Sequence, residues 1–170
     1  MQNQTIIKNT VEKTWEDFSP ATRIWIYAAS RELSGEEVEK LNPVIASFAK
    51  NWVSHNLQLK ATGFILENRF LILAVDESQA GASGCSIDKS VKFVRDIGDS
   101  LQVDFFNRLD FFYYEGEKLK NIHKDQLSTA YKNGEINDDT IFLDTLVQTK
   151  EDFESRWKTP LKNSWIKRFL

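Results

Sequence analysis

The feature that most constrains this chain is an unbroken apolar run, FLILAV, at residues 70–75. A run of this length without a polar residue is typical of a strand that is buried on both faces. Asp76 and Glu77 end the run, and a loop of small residues follows at 79–86. Beyond the loop, apolar residues at helical spacing predict a helix over 87–101. The remainder of the fold must therefore cover one wholly apolar strand and the helix that follows it.

The length of 170 residues suits a single domain with a buried core. Within it we distinguish an N-terminal docking segment at 1–20, a core of sheet and helices at 21–118, and a C-terminal α/β extension at 119–170. In the docking segment Ile7, Val11, Trp15 and Phe18 are spaced at helical intervals, which predicts a short docking helix.

The pattern of elements predicts the fold class. Segments rich in β-branched and aromatic residues predict strands at 23–29, 59–66, 70–75 and 105–114. Helices are predicted at 35–54 and 87–101; the first begins with a capping box at Ser34 and Glu37, and Pro43 is expected to kink or split it. The order β-α-β-β-α-β predicts an α+β fold of the ferredoxin-like type, in which two helices cover one face of a four-stranded antiparallel sheet.

The charge and composition of the chain argue against several classes of binding partner. The net charge is −3 with both signs interspersed, so we expect no nucleic-acid partner. The N-terminus lacks the apolar core of a signal peptide and the apolar runs are too short to span a bilayer, which predicts a cytoplasmic protein without a membrane partner. The single cysteine cannot form an internal disulfide or a zinc site built on cysteine pairs, and we expect no metal and no cofactor.

The loop after the apolar strand is the candidate ligand site, because backbone N–H groups at a helix start can hold an anion. The residues assigned to it are Gly81, Ser83, Gly84, Cys85, Ser86 and Lys89. The expected donors are the N–H groups of residues 85–88, and Asp88 in the first turn would compete with a bound anion and keep the site weak. A second interpretation needs no ligand: the glycines hold positive φ angles that let the loop reach the helix.

The same region contains the candidate catalytic residues. Cys85 near a helix start, with Lys89 close by, could be a reactive thiolate, and Asp76 and Glu77 could act as acid and base. The alternative is that Cys85 is a small thiol packed under the loop, while the two carboxylates cap the strand and face water. Both interpretations remain open from the sequence.

Aromatic residues are dense at 105–114, FFNRLDFFYY. In a strand they would alternate between the two faces, so half of them would lie off the core side and need a cover. That cover could be the C-terminal segment or a second copy of the chain, which would make a homodimer through this strand.

Five segments carry a resemblance to a known family: RIWIYAASRELSGEEV, ENRFLILAVDES, GASGCSIDKSVKF, FFNRLDFFYY and WKTPLKNSW. Together they resemble short Bacteroidetes proteins whose members are usually named "ABC transporter ATPase", which implies a bacterial source. The resemblance supplies no catalytic residues. A phosphate-binding loop requires glycine directly before Lys89, where this chain has Asp88, and no ABC signature is present. We therefore predict that the chain is not an ABC ATPase.

Two functions follow from these observations. The first is a globular α+β domain that acts through a protein partner or through a small, anionic ligand at residues 81–86. The second is a small enzyme that uses Cys85 as a nucleophile or redox thiol.

Overall fold

The computed structural model describes residues 14–170. This part of the chain is mixed α+β, with four α-helices and three antiparallel sheets. It forms two compact units: the described residues up to Phe106 together with Gln148–Glu151, and Asn107–Val147 together with Asp152–Leu170. No helix within residues 14–170 is both long and apolar enough to cross a membrane.

The first unit is built around the apolar run. Its elements are β1 (Arg23–Ala28), α1 (Gly35–Lys50), β2 (Val53–Ser54), β3 (Leu57–Gln58), β4 (Lys60–Leu66), β5 (Phe70–Asp76) and α2 (Gly84–Leu101). All seven residues of β5 are buried, and β5 pairs antiparallel with β1 on one side and β4 on the other. The strand predicted to be buried on both faces is thus the central strand of a sheet with the order β1-β5-β4.

The hairpin between β4 and β5 forms without a glycine. Glu67 and Asn68 adopt positive φ angles of 54° and 53°, and the N–H of Arg69 donates to the carbonyl of Leu66 at 3.0 Å. Leu66 pairs with Phe70, so the connection has three residues, and its two consecutive left-handed residues match the twist of the flanking strands. The strands predicted at 59–66 and 70–75 are confirmed, and this turn joins them into an antiparallel hairpin.

Helix α1 begins at the predicted capping box. The Ser34 hydroxyl accepts from the N–H of Glu37, and the Glu37 carboxylate accepts from the N–H of Ser34. The helix continues through Pro43 and ends at Lys50, so the predicted end at residue 54 is wrong, because the chain turns into β2 at Val53. Gly63 of β4 permits the close approach of α1, since a Cβ there would lie 2.6 Å from Ile45 Cγ2.

The prediction of a fourth strand in this sheet at residues 105–114 is wrong. The side chains of Asp104 and Asn107 accept hydrogen bonds from backbone N–H groups two residues ahead, at 2.7 and 2.9 Å, and such turns interrupt a strand. Pairing resumes only at Asp110, in another sheet. Beside β1 the N–H of Ile24 instead donates to the carbonyl of Gln148 at 2.9 Å. The strand order therefore differs from the predicted ferredoxin-like sheet.

The second unit contains β6 (Asp110–Glu115), β7 (Lys118–His123), α3 (Leu127–Lys132), β8 (Ile141–Leu143), most of α4 (Lys150–Arg156) and β9 (Lys158–Pro160). Its sheet has the order β7-β6-β8-β9. The ring of Phe111 on β6 lies 5.5 Å from the rings of both Trp165 and Phe169. The C-terminal segment thus covers one face of the aromatic strand, as one of the two sequence interpretations expected.

Of the segment predicted to dock at 1–20, residues 14–20 are described, and 1–13 lie outside the described residues. Trp15 is buried and meets the ring of Phe64 edge-on at 5.5 Å. The carbonyl of Phe18 accepts from the ammonium of Lys150 at 3.0 Å.

The two glycines of α2 provide a matched stability test. A Cβ on Gly98 would lie 2.5 Å from the carbonyl oxygen of Val103, whose N–H donates to Gly98, whereas a Cβ on Gly84 would meet nothing within 4 Å. We expect Gly98→Ala to lower the free energy of unfolding by about 1–3 kcal/mol, because the backbone must move. Gly84→Ala should leave it unchanged or raise it by at most about 1 kcal/mol. Urea denaturation measures both, and equal stability of the two variants would contradict the close packing at Gly98.

Candidate functional site

The predicted loop is the start of α2, and it is shorter than the sequence suggested. Helix α2 begins at Gly84, three residues before the predicted start at Ile87, and ends at Leu101 as predicted. Ser83 is the cap: its hydroxyl accepts from the N–H of Ser86 at 3.3 Å, and its carbonyl accepts from the N–H of Ile87 at 2.9 Å. A serine cap satisfies donors that a helix start otherwise leaves open, which is why the helix can begin this early.

The helix start is fixed by contacts with β2 and with the residue before it. The N–H of Ser83 donates to the hydroxyl of Ser54 at 3.2 Å, and the indole N–H of Trp52 donates to the carbonyl of Ser86 at 2.8 Å. Ser86 is buried, and its own hydroxyl donates to the carbonyl of Ser83. Sequence reasoning missed Ser54 and Trp52, because partners about thirty residues away leave no local signal.

Two backbone donors stay open at this helix start. Within the described part of the chain, the N–H groups of Gly84 and Cys85 have no hydrogen-bond acceptor, and both residues are exposed. The prediction that the donors are the N–H groups of residues 85–88 is therefore corrected to those of Gly84 and Cys85. The N–H groups of Ser86 and Ile87 already donate to Ser83. Asp88 is not in the first turn, which contains no acidic residue, so the expected competition from its carboxylate is weaker.

The loop glycines are not there for unusual backbone angles. Only Gly116 and Gly134 among the glycines have positive φ, so the interpretation that Gly81 and Gly84 need left-handed conformations is wrong. A Cβ on Gly81 would make an ordinary contact with the Glu77 carboxylate at 3.7 Å. The effect of Gly81 and Gly84 is therefore to leave the backbone of the loop exposed to solvent, without strained φ angles.

Cys85 is exposed in the first turn of α2. It does not pack under the loop, as one sequence interpretation held. Lys89 follows one turn later, also exposed, and neither side chain forms a hydrogen bond or an ion pair with another described residue. The thiol and the ammonium are therefore open to solvent on the same side of the helix.

Asp76 is a buried structural carboxylate. One oxygen accepts from the N–H of Ser19 at 3.0 Å and lies 3.4 Å from the ammonium of Lys60, and the other accepts from the N–H of Ser78 at 3.1 Å. Burial by itself raises the pKa of Asp76, but the hydrogen bonds from Ser19, Ser78 and Lys60 outweigh it and hold the pKa well below its ordinary value. A carboxylate held in its ionised form in this way is a poor general base near neutral pH.

Glu77, the second candidate carboxylate, pairs with a different residue from those that hold Asp76. Its carboxylate is exposed and lies 3.7 Å from the guanidinium of Arg23. In residues 14–170 no hydrogen bond or ion pair joins Asp76 or Glu77 to Cys85, so the structure does not link the predicted acid, base and nucleophile. No group of three His, Cys, Asp or Glu side chains in these residues could hold a metal ion.

The role of Asp76 predicts a pH dependence of stability. Because its pKa is lower in the folded chain than in the unfolded chain, its contribution is fully present above an unfolded-state pKa of about 4 and is lost as the pH falls below that value. We expect Asp76→Asn to lower the free energy of unfolding at pH 7 by about 1–3 kcal/mol, since an amide N–H₂ would face donors. The variant should also lose much of the decline in stability below pH 4.

Glu77→Gln is the control, because the exposed pair of Glu77 with Arg23 contributes little. Denaturation curves at several pH values compare the two variants with the parent chain. A loss of stability at pH 7 in Glu77→Gln as large as that in Asp76→Asn would contradict the structural role of Asp76.

Comparison of the chain with protein-family models, with curated proteins and with solved structures gives no match. The resemblance to the Bacteroidetes family stays a prediction.

Proposed function

We propose that this chain is a binding protein whose recognition site is the start of α2, and that the site takes an anionic group presented by a small ligand or by a protein partner. The observation that carries the proposal is the pair of open N–H donors at Gly84 and Cys85, in a first turn that contains no carboxylate. The donors stand at the end of an 18-residue helix, whose aligned peptide dipoles favour a negative charge there.

The fixed backbone of the site supports binding. Hydrogen bonds from Ser83 to Ser54 and from Trp52 to Ser86 hold the turn before any ligand arrives. A site that is already ordered loses little conformational entropy when it binds. Lys89 adds a positive charge one turn along the helix. Because the site is exposed and has few donors, its affinity for a simple anion lies in the millimolar range and falls with ionic strength.

Binding fits the candidate residues better than catalysis does. Asp76 is engaged by Ser19, Ser78 and Lys60, and Glu77 pairs with Arg23. A cysteine nucleophile is usually activated by an adjacent base, and both candidate carboxylates are occupied with other partners.

The alternative function, an enzyme with Cys85 as nucleophile or redox thiol, keeps one observation in its favour. The thiol is exposed in the first turn of α2, where a reactant in solution can reach the sulfur. The two functions differ in the group they use, which is the backbone N–H in the first and the sulfur in the second.

Two finer proposals concern fold and partner. The sheet order β1-β5-β4, with α1 following β1 and preceding β4 along the chain, supports a relationship of the first unit to the ferredoxin-like fold. The place of the fourth strand, beside β1, is taken in part by Gln148 and Thr149. A homodimer through residues 105–114 has less support, because Phe111 and Phe112 are already buried.

Gly84→Pro tests the binding function. Proline at the first helical position removes the Gly84 N–H but is tolerated there, and Ser83 before it is extended, with φ −83° and ψ 167°, as a residue preceding proline requires. We expect phosphate to shift the amide NMR signals of Cys85 and of Gly84 in the parent chain. Gly84→Pro should weaken phosphate binding about fivefold, the effect of one net hydrogen bond.

Gly84→Ala is the matched control, since it keeps the N–H and should bind phosphate as the parent does. Cys85→Ser separates the two functions, because it removes the thiol and keeps the backbone donor. Unchanged phosphate binding in Cys85→Ser supports the binding site, whereas equal binding by Gly84→Pro and Gly84→Ala would disprove it.

A further inference from the structure

A concavity of about 660 Å³ lies in the second unit, formed by the end of α4, by β9 and by the two 3₁₀ turns Leu161–Asn163 and Trp165–Phe169. Its volume is within the range of small-molecule sites. The lining combines three cations, one carboxylate and an aromatic ring, which are Arg156, Lys158, Lys162, Asp144 and Trp165. The segment WKTPLKNSW supplies most of this lining, and the proposed function does not use it.

A buried carboxylate positions the ring and the guanidinium. Asp144 accepts from the indole N–H of Trp165 at 2.9 Å and from the N–H of Leu146 at 3.0 Å through one oxygen. Its other oxygen lies 3.5 Å from the guanidinium of Arg156, and the side chain of Asp144 is 7% exposed. Both oxygens are therefore engaged, and the negative charge of Asp144 is turned toward protein donors rather than toward the open side of the concavity.

The three cations of the concavity differ in how many carboxylate partners they already have. Arg156 pairs with Asp144 and also lies 3.3 Å from Asp152, and Lys162 lies 2.7 Å from Asp139. The ammonium of Lys158 lies 4.6 Å from the ring centre of Tyr114 and has no carboxylate partner among the described residues. Lys158 is thus the cation most available to an incoming anion, with half of the Arg156 side chain exposed beside it.

We propose that this concavity binds a small organic anion, with the anionic group at Lys158 and Arg156 and the apolar body against Trp165 and Pro160. The chemical class is a phosphate monoester or a carboxylate attached to a small ring or chain. The guanidinium and the ammonium provide charge-assisted donors to oxygen, and the indole provides a flat apolar surface. Because Asp144 holds both the indole and the guanidinium, the site is formed before the ligand arrives.

Phenyl phosphate is the probe, with inorganic phosphate and benzyl alcohol as comparisons, titrated into the full chain and followed by NMR. We expect phenyl phosphate to shift the indole signal of Trp165 and to bind more tightly than inorganic phosphate or benzyl alcohol. Lys158→Gln should weaken binding about tenfold. Lys167→Gln is the matched control, because Lys167 is exposed on the same segment and does not line the concavity. It should bind as the parent does.

Lys162→Gln is a second variant in case Lys158→Gln perturbs the fold, and it should also weaken binding, by a smaller factor. The proposal is overturned if phenyl phosphate leaves the Trp165 indole signal unmoved, or if Lys158→Gln and Lys167→Gln bind it equally. Equal affinity for phenyl phosphate and inorganic phosphate would overturn the organic part of the assignment. Signals at Gly84 and Cys85 report the other site in the same titration, so the two proposals can fail separately.

Discussion

The complete burial of β5 is the constraint on which the first unit depends. All seven of its residues are buried, so its backbone must be paired on both sides, and β1 and β4 provide those partners. Its last residue, Asp76, takes a carboxylate into the interior, where it must be compensated. That compensation comes from Ser19, Ser78 and Lys60. The hydrogen bond from Ser19 also holds the segment before β1 in place, and the hydrogen bond from Ser78 fixes the turn that follows β5.

The turn after β5 leads to the start of α2, which is the proposed binding site. Ser83 caps α2 early, and Ser54 and Trp52 hold the cap, so the backbone around Gly84 and Cys85 is ordered but uncovered. The residues that donate to Asp76 also make it unsuitable as a general base. Their hydrogen bonds lower the pKa of its carboxyl group, so the carboxylate does not take up a proton near pH 7. The carboxylate of Asp76 thus has a structural role, while the N–H groups of Gly84 and Cys85 form the proposed binding site.

Local patterns predicted local structure well. The apolar run, the capping box at Ser34 and Glu37, and the end of α2 at Leu101 are each encoded within a few residues, and each is confirmed. The fourth strand was wrong because Asp104 and Asn107 bond their own backbone, a competition that aromatic density conceals. The predicted start of α2 was three residues late, because the Ser83 cap is held by Ser54, which lies far away in the sequence. The concavity around Asp144 joins residues about twenty positions apart and had no sequence signal.

Amide hydrogen exchange at the start of α2, followed residue by residue, tests the central claim most directly. In the free protein the N–H groups of Ser86 and Ile87 should be protected, because both donate to Ser83, while those of Gly84 and Cys85 should exchange almost as fast as in an unfolded peptide. Added phosphate should slow exchange at Gly84 and Cys85 and leave Ser86 and Ile87 unchanged. Protection of Gly84 and Cys85 before any anion is added, or exchange there that phosphate does not slow, would contradict the account.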